Sequence, residues 1–418
     1  MSPTLALVLV LIGALCSILY IFRTTVSWPN HTKYGRKLPP GPRALPIIGN
    51  LLMLGKLPHQ NLHHLAKRYG PIMSLRLGSV PTIVVSSPQA AELFLKTHDI
   101  VFASRPKMQA SEYLSYGAKA MAFTPYGSYW RTVRKWCTLH FLSASKVEYF
   151  APVRKAHLGY LVQSVKNSAA AGETVDLTVK VGELIEDTMC QIIFGRGKDD
   201  GLNLRSLIDQ IIHLHGLFNI SDFIPYLAPL DLQGIGRRLK RVSSFETSAV
   251  TTVWAFSEIL RHPRVMLGLQ QELETVIGRN RFVQESDLPK LTYLDMVVKE
   301  SLRLHPVAPF LVPRESMEDI VVDGYLIPKN SRILVNTWSM GRDPNIWSEN
   351  AEEFFPERFL DGNIDLRGQH FELIPFGSGR RGCLMECLPH ELDMSEIFGL
   401  TLPRVNHLLA RPTYRLLK

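Results

Sequence analysis

The clearest hydrophobic signal runs from Thr4 to Phe22, nineteen positions without a charge. At 1.5 Å of rise per residue, such a run is close to long enough to cross the hydrocarbon layer as a helix. A cleaved leader wants basic residues ahead of its apolar stretch. Here Arg23, Lys33, Arg36 and Lys37 follow it and none precedes it, which predicts an uncleaved anchor with the bulk of the chain on the cytosolic side. Further along, Met73, Leu75 and Leu77 alternate with Ser74 and Arg76, and the apolar run Thr82–Val85 follows the turn residues Gly78 to Pro81. That period of two predicts a hairpin. A helical period takes over at Val265, Leu269, Leu273 and Val276/Ile277, with Gly278 where a C-terminal cap belongs. Thr292 with Asp295 resembles a capping box, opening a helix that His305-Pro306 ends. Strand-like runs return at Asp319–Pro328 and Ser331–Trp338. The expected body is mainly α with small β-sheets, without repeats or an internal linker from residue 39 onward.

Composition narrows the class. The 418 residues are 46% hydrophobic and 20% charged, an ordinary globular mix with room for one large core or two smaller ones. Five cysteines, at 16, 137, 190, 383 and 387, are too few and too irregular for a disulfide scaffold and fit a reducing compartment. The net charge of +9 is spread without a long basic tract. This argues against nucleic acid and for acidic lipid or an acidic protein as the complementary surface. Pro39, Pro40, Gly41, Pro42 and Pro46 make a stiff stretch that is either a plain spacer or a hinge setting how the body sits on a membrane.

The chemistry concentrates at Ile374–Glu391, where Gly377, Gly379 and Gly382 have the G-x-G-x-x-G spacing. A dinucleotide fingerprint needs a buried strand before it and a sustained helix after it. Pro375 interrupts the first, and Pro389 ends the second almost at once. A zinc site could draw on Cys383, Cys387 and His390, with Cys137 and His140, but nothing in the sequence brings those two groups together. A thiolate reading gives every neighbour a task. The glycines let the backbone approach a flat macrocycle, Phe376 packs on the sulfur side, Arg381 pairs with an anionic substituent, and Cys383 ligates a metal. A lone loop cysteine is more often a small buried residue. Trp130 and Arg134, at i and i+4, can reach one carboxylate from one helical face. Alone, that pair is a surface cation beside a core aromatic. Glu300 and Arg303, at i and i+3, with Arg358 as a third member, form a candidate charge network, although such pairs are usually worth little at a surface. Glu246 beside Thr247 reads most simply as a helix N-terminus.

Taken in order, the pieces "PPGP", "FASRP", "WRTVR", "FETSA", "KESLRLHP", "PERF" and "FGSGRRGC" resemble the membrane-anchored plant type of the cytochrome P-450 haem-thiolate monooxygenases, from Leu38 to the C-terminus. The resemblance implies the cytochrome P-450 fold, with an anchor at 1–23, a Pro-rich hinge at 24–46 and a haem domain at 47–418. It implies haem b, with Cys383 as the axial ligand and metal-binding residue. It makes Trp130, Arg134 and Arg381 propionate-binding positions, with Phe376 and Gly379 in the haem-contacting loop. Glu300, Arg303 and Arg358 become a structural network behind the haem. Glu246 and Thr247 become the acid–alcohol pair that relays protons to the oxygen being reduced. The implied activity inserts one atom of O₂ into a small lipophilic substrate at the endoplasmic reticulum membrane. Electrons come from NADPH through a separate reductase, and nucleic acid plays no part.

Two positions depart from the family pattern. After Cys383 the family continues Cys-x-Gly into a long helix against the haem; here Met385 stands at the glycine position, and "CLMECLPHELDMSEIFGLTLPR" runs almost directly into a C-terminal substrate-contacting turn. Before Glu246 the family has a linker helix and half of the long helix over the haem. Here Arg241 and Glu246 are five residues apart, and Ser243 and Ser244 replace the usual glycine-alanine pair. Both look like internal excisions flanking the haem. The rival expectation is therefore a truncated, non-catalytic member that binds haem poorly.

Overall fold

The computed structural model describes residues 36–114, 117–140, 142–195, 219–225, 247–360, 364–383 and 408–412, with Gly13, Gln233 and Gly362 singly. The Thr4–Phe22 run, apart from Gly13, lies outside the described residues, as do Glu246, Cys387 and His390. Among the described residues no helix is long and apolar enough to cross a membrane.

The described strands are β1 Ile72–Leu77, β2 Val80–Val85, β3 Val175–Asp176, β4 Arg314–Glu315, β5 Ile320–Val322, β6 Tyr325–Ile327, β7 Arg332–Val335 and β8 Leu409–Ala410. The main sheet has the order β1-β2-β7-β4, with β2 and β7 parallel; β3 pairs with β8, and β5 with β6. The period-two run folds as the expected hairpin, but its turn is only Gly78-Ser79, because Leu77 already faces Val80. Gly78 sits at φ +60, and a Cβ there would lie 2.3 Å from the Phe223 carbonyl oxygen, so the segment 219–225 presses on the turn. Arg76, at a position whose alternation predicts exposure, is buried and donates to the Leu45 carbonyl at 2.5 Å. The reason is the Pro-rich stretch, which lies along β1. Ser74 donates its N–H to the Pro40 carbonyl (2.8 Å) and its hydroxyl to the Pro39 carbonyl (2.6 Å). Prolines have no N–H to give, so they serve as an acceptor-only edge. At Gly41 a Cβ would fall 1.9 Å from the Ser74 oxygen, which requires glycine there.

Helices make up most of the rest. The Thr292–Leu304 helix is the central one, buried at every position from Met296 to Leu304 except Lys299. Val297 and Leu304 pack with Ile259 of the Thr247–Arg261 helix and with Val265 and Leu269 of the Pro263–Val276 helix, the apolar stripe read from the sequence. Gly278, at φ +80, closes that last helix by donating to the Leu273 carbonyl. The capping box expected at Thr292 does not form. Leu291 is the N-cap, and the Glu272 carboxylate, from the neighbouring helix, accepts from the N–H groups of Tyr293 (2.6 Å) and Leu294 (3.0 Å). An anion on the first turn also suits the helix dipole. By contrast, the Ala151–Ala171 helix buries none of its residues, and Trp136, Leu139, Leu158 and Tyr160 are exposed nearby in sequence.

On the Pro58–Tyr69 helix, His63 is buried and its Nδ1 lies 2.7 Å from the Ser339 hydroxyl. Burial, helped by Lys67, His64 and Arg342, lowers its pKa from 6.5 to about 4. The unfolded chain therefore takes up a proton near pH 6.5 that the folded chain refuses until about pH 4. Stability should fall through that window, by on the order of 3 kcal/mol at its acid end. The His63→Asn variant keeps a polar partner for Ser339 and does not titrate. Thermal melts from pH 7 to pH 4 should show a distinctly shallower loss for this variant than for the parent, and parallel curves would refute the assignment.

Candidate functional site

The Ile374–Cys383 loop is held by its own backbone. Gly377 donates to Ile374, Gly382 to Gly379, and the Cys383 N–H to the Phe376 carbonyl at 2.8 Å. Gly379 opens a 3-10 turn through Arg381 at φ +65, where a Cβ would lie 2.2 Å from the Leu95 carbonyl oxygen and 2.8 Å from the Asp99 carboxyl. Only glycine allows both the angle and the approach. Asp99 holds the turn from outside. One oxygen accepts from the Arg380 N–H and guanidinium, both at 2.9 Å, and the other accepts from Arg314 at 2.8 Å. Arg314 also donates to the Ser378 carbonyl at 2.6 Å. Phe376 is half-buried, and Cys383 is exposed at the end of the loop.

Beside the loop lies a cluster of guanidinium groups. Arg381 is buried against Trp130, 4.2 Å from the ring centroid, and donates to the carbonyls of Ala103 (2.6 Å), Thr124 (2.7 Å) and Met121 (3.3 Å). Trp130 donates its indole N–H to that same Met121 carbonyl at 3.2 Å. Arg134, one turn along the Ser128–His140 helix, is 5.4 Å from the Trp130 ring and donates to the Gly382 carbonyl, next to Cys383, at 3.1 Å. Arg105, also buried, donates to the carbonyls of Ala122 (2.9 Å), Val312 (2.5 Å) and Pro313 (2.9 Å). Burial lowers the pKa of Arg381 to about 10, with Arg314 and Arg134 pushing the same way. Burial likewise pushes Arg105 well below its ordinary value, reinforced by Arg314 and Arg381. Arg134 is lowered by burial, against a pull from Cys383 and Asp99 in the other direction. Asp99 pairs with Arg314 and Arg380, and among the described residues no carboxylate is in an ion pair with Arg105, Arg134 or Arg381. Carbonyl oxygens accept from their N–H groups but do not offset their charge.

The sequence reading singled out Trp130, Arg134 and Arg381 but missed Arg105, Asp99 and Arg314. Arg105 lies inside the "FASRP" run, and Asp99 three residues before it. Neither has a local pattern that predicts its partners, which are distant in sequence. Next to the cluster is an open hollow of about 420 Å³. Trp130 and Leu139 line it, and Arg131, Arg134, Lys135 and Arg380 supply a cationic rim.

Glu300, Arg303 and Arg358 meet in a second cluster. Arg303 grips Glu300 with two bonds of 2.7 and 2.8 Å, and Arg358 adds one of 3.0 Å. The spare donors of Arg303 reach the carbonyls of Gly341, Ala351 (2.6 Å) and Glu353 (3.0 Å). Glu300 and Arg303 side chains are wholly buried. Thr247 is the first residue of the Thr247–Arg261 helix, and its side chain is not described. Among the described residues no cluster of His, Cys, Asp and Glu could hold a metal ion by itself.

Removing one partner from a buried pair leaves a charge uncompensated, which costs about 3–5 kcal/mol. Glu300→Gln should lose about that much in urea unfolding. Glu285→Gln, which breaks an exposed pair with Arg154, should lose less than about 1 kcal/mol. Equal losses would mean that the buried network does not support the fold.

The family model described as Cytochrome P450 matches residues 39–245 and 241–388. Among curated proteins, cytochrome P450 CYP736A12 of Panax ginseng is 46% identical over 493 aligned residues, covering 96% of this chain and 99% of that protein. Cytochrome P450 71AP13 of Prunus mume is 36% identical, with 90% and 91% covered. A protein of Crocosmia x crocosmiiflora named flavonoid 3'-monooxygenase CYP75B137 is 35% identical, with 91% and 93% covered.

Proposed function

The chain belongs to the cytochrome P450 family, alongside its plant members, and we propose that it is a membrane-anchored monooxygenase of a small lipophilic substrate, with Cys383 as the axial ligand of its haem. Membership brings haem b, an oxidoreductase activity that incorporates oxygen, and electrons supplied from NADPH by a reductase. The observation that carries the residue assignment is the arginine cluster beside Cys383. Arg105 and Arg381 are buried cations whose described hydrogen bonds go to carbonyls, and two propionates are the counter-charges such a cradle suits. Trp130 and Arg134 complete it on the same side.

When bound, haem activates O₂, so that one atom enters the substrate and the other leaves as water after two electrons and two protons are supplied. The chain's own groups set the conditions. Cys383, as thiolate, would donate electron density, and Arg134 is bonded to the adjoining Gly382 carbonyl, which fixes its charge beside the loop. Gly379 and Phe376 shape the loop that presents it. Glu246 and Thr247 act as the proton relay. Glu300, Arg303 and Arg358 keep the wall behind the site rigid. The cationic rim of Arg131, Lys135 and Arg380 receives an acidic reductase surface. The layout that fits is an anchor at 1–23 in the endoplasmic reticulum membrane, a hinge at 24–46 and the haem domain at 47–418.

A second reading is a truncated member with poor haem binding, and specific observations favour it. The family match breaks into two pieces that meet at 241–245, beside the junction Arg241–Glu246, and stops at 388, just past Cys383. The ginseng alignment spans 493 residues against 418 in this whole chain, so at least 75 of its positions have no counterpart here. The Ala151–Ala171 helix, none of whose residues is buried, together with the exposed Trp136 and Leu139, is what a body lacking a covering helix presents.

One spectrum separates the readings. The full chain, reduced and treated with carbon monoxide, should give the strongly red-shifted Soret band of a thiolate-bound haem, and Cys383→Ser should abolish it while Cys387→Ser does not. Loss of the band in Cys387→Ser alone overturns the ligand assignment. Should the chain show no band, while a version with both missing segments supplied from the ginseng relative binds haem stoichiometrically, the truncated reading holds.

A further inference from the structure

The last turn of the Thr247–Arg261 helix holds a buried carboxylate that no step of the oxygen chemistry uses. Glu258 is 2% exposed. Its Oε1 lies 2.7 Å from Nε2 of His305, so with Glu258 ionised that nitrogen carries the hydrogen. His262, one turn on, brings Nδ1 to 2.8 Å from the Glu258 carbonyl oxygen and 3.2 Å from Oε2. The Nδ1 hydrogen goes to the carbonyl, and Oε2 is left without a hydrogen bond. The group joins three helices. His305 ends the central helix as its C-cap and stacks flat on Trp254, with centroids 4.2 Å apart at 6°. His262 is the N-cap of the Pro263–Val276 helix and stacks on Phe354 at 5.3 Å. The His305 side chain is buried, whereas that of His262 is 33% exposed and meets water.

Fixed cations do not balance this carboxylate. Among the described residues the ion pairs of Glu258 are with the two histidines alone. On its own helix Arg261 is exposed. On the next helix Arg264 pairs with Glu357. On the central helix Arg303 pairs with Glu300, and Lys299 with Asp295. The Leu177–Phe194 helix also packs on this one. It brings Lys180, paired with Glu183, and the acidic Glu186 and Asp187, besides Cys190. Glu352, paired with Arg342, and the exposed Glu353 precede Phe354. A buried carboxylate with one hydrogen bond and no fixed counter-charge is a costly state. One further proton on an adjoining imidazole relieves it. Histidine is the side chain whose charge ordinarily changes between about pH 5 and 8. Water reaches His262, so the proton enters there, and the resulting imidazolium faces both Glu258 and the Phe354 ring.

We propose that Glu258, His262 and His305 form a proton-operated clamp between the Thr247–Arg261 helix and the central helix. With His262 protonated, the carboxylate is balanced and keeps its bond to His305, and the end of the helix is held. When the proton leaves, the carboxylate is buried without a counter-charge, draws in water and loosens its hold. No covalent bond other than the imidazole N–H changes. Because the same helix begins at Thr247, the clamp makes the setting of the relay position depend on pH. That consequence alone rests on the proposed function; the clamp itself needs no haem.

The test follows hydrogen exchange by mass spectrometry on the full chain in phosphatidylcholine vesicles, at about pH 6 and about pH 8.5, with rates corrected for the intrinsic effect of pH. Exchange across residues 253–262 should be at least about threefold faster at the higher pH, while the hairpin at 72–85 shows no such rise. Glu258→Gln keeps an acceptor for His305 but needs no counter-charge, so it should remove the difference. His262→Lys carries an ammonium that stays charged up to about pH 10 and should exchange slowly at both values, which separates lost charge from lost folding. Equal corrected exchange at the two pH values in the parent overturns the proposal, as does a difference that survives in Glu258→Gln. If Glu258→Gln also exchanges fast at 72–85, it has lost its fold, and His262→Lys decides alone: a difference as large as the parent's there overturns the clamp, and its absence sustains it.

Discussion

The carboxylate of Glu300 is the point on which this structure turns. It is wholly buried, and removing a charge from water costs far more than a surface ion pair returns. The cost is met only because every part of the network is satisfied. Two arginines and the Phe355 N–H converge on the carboxylate, and the remaining guanidinium donors find carbonyls from residues 341 to 353. The central helix is thereby tied to the irregular chain that follows β7. Through Met296, Trp347, Phe359 and Leu373 that chain packs down to the start of the cysteine loop. The position of Cys383 is thus set by contacts that begin well behind it.

A different electrostatic arrangement holds the front. Burial lowers the pKa of Arg105 and of Arg381, the charge of Arg314 pushes both the same way, and Asp99 balances only part of the charge. Repulsion within such a cluster lowers the stability of the fold, and in the proposed reading two propionates would offset it.

Much of the architecture was legible where its cause was local. The alternation at Met73–Leu77 made a hairpin, the strand-like run Asp319–Pro328 holds β5 and β6, and the stripe at Val265 and Leu269 faced the core. The turn between β5 and β6, where Asp323 and Gly324 both have positive φ, was not among the sequence expectations. What escaped was set by distant residues. Glu272 caps a helix twenty residues later, displacing the local Thr292–Asp295 box. Arg76 is drawn inward by Leu45, and Asp99 finds its partners more than two hundred residues away. Near the cysteine loop, the motif spacing picked out Trp130 and Arg134 on one helix and Arg381 with Gly379 on one turn, and these lie together in the structure. Arg105 and Arg314 belong to the same cluster through the sheet, and no spacing rule reaches across it.

The seam between Pro39-Pro40 and Ser74 has a mechanical consequence. The two Ser74 hydrogen bonds, together with the close seat of Gly41, fasten the Pro-rich stretch lengthwise along the edge of β1. A pull on the chain ahead of residue 36 does not peel one contact at a time. It loads these bonds together, in shear, and passes straight into the four-stranded sheet. The segment acts as a rigid lever and not as a slack tether, so a rotation imposed at the N-terminal end is delivered to the hairpin and to the residues packed on its turn.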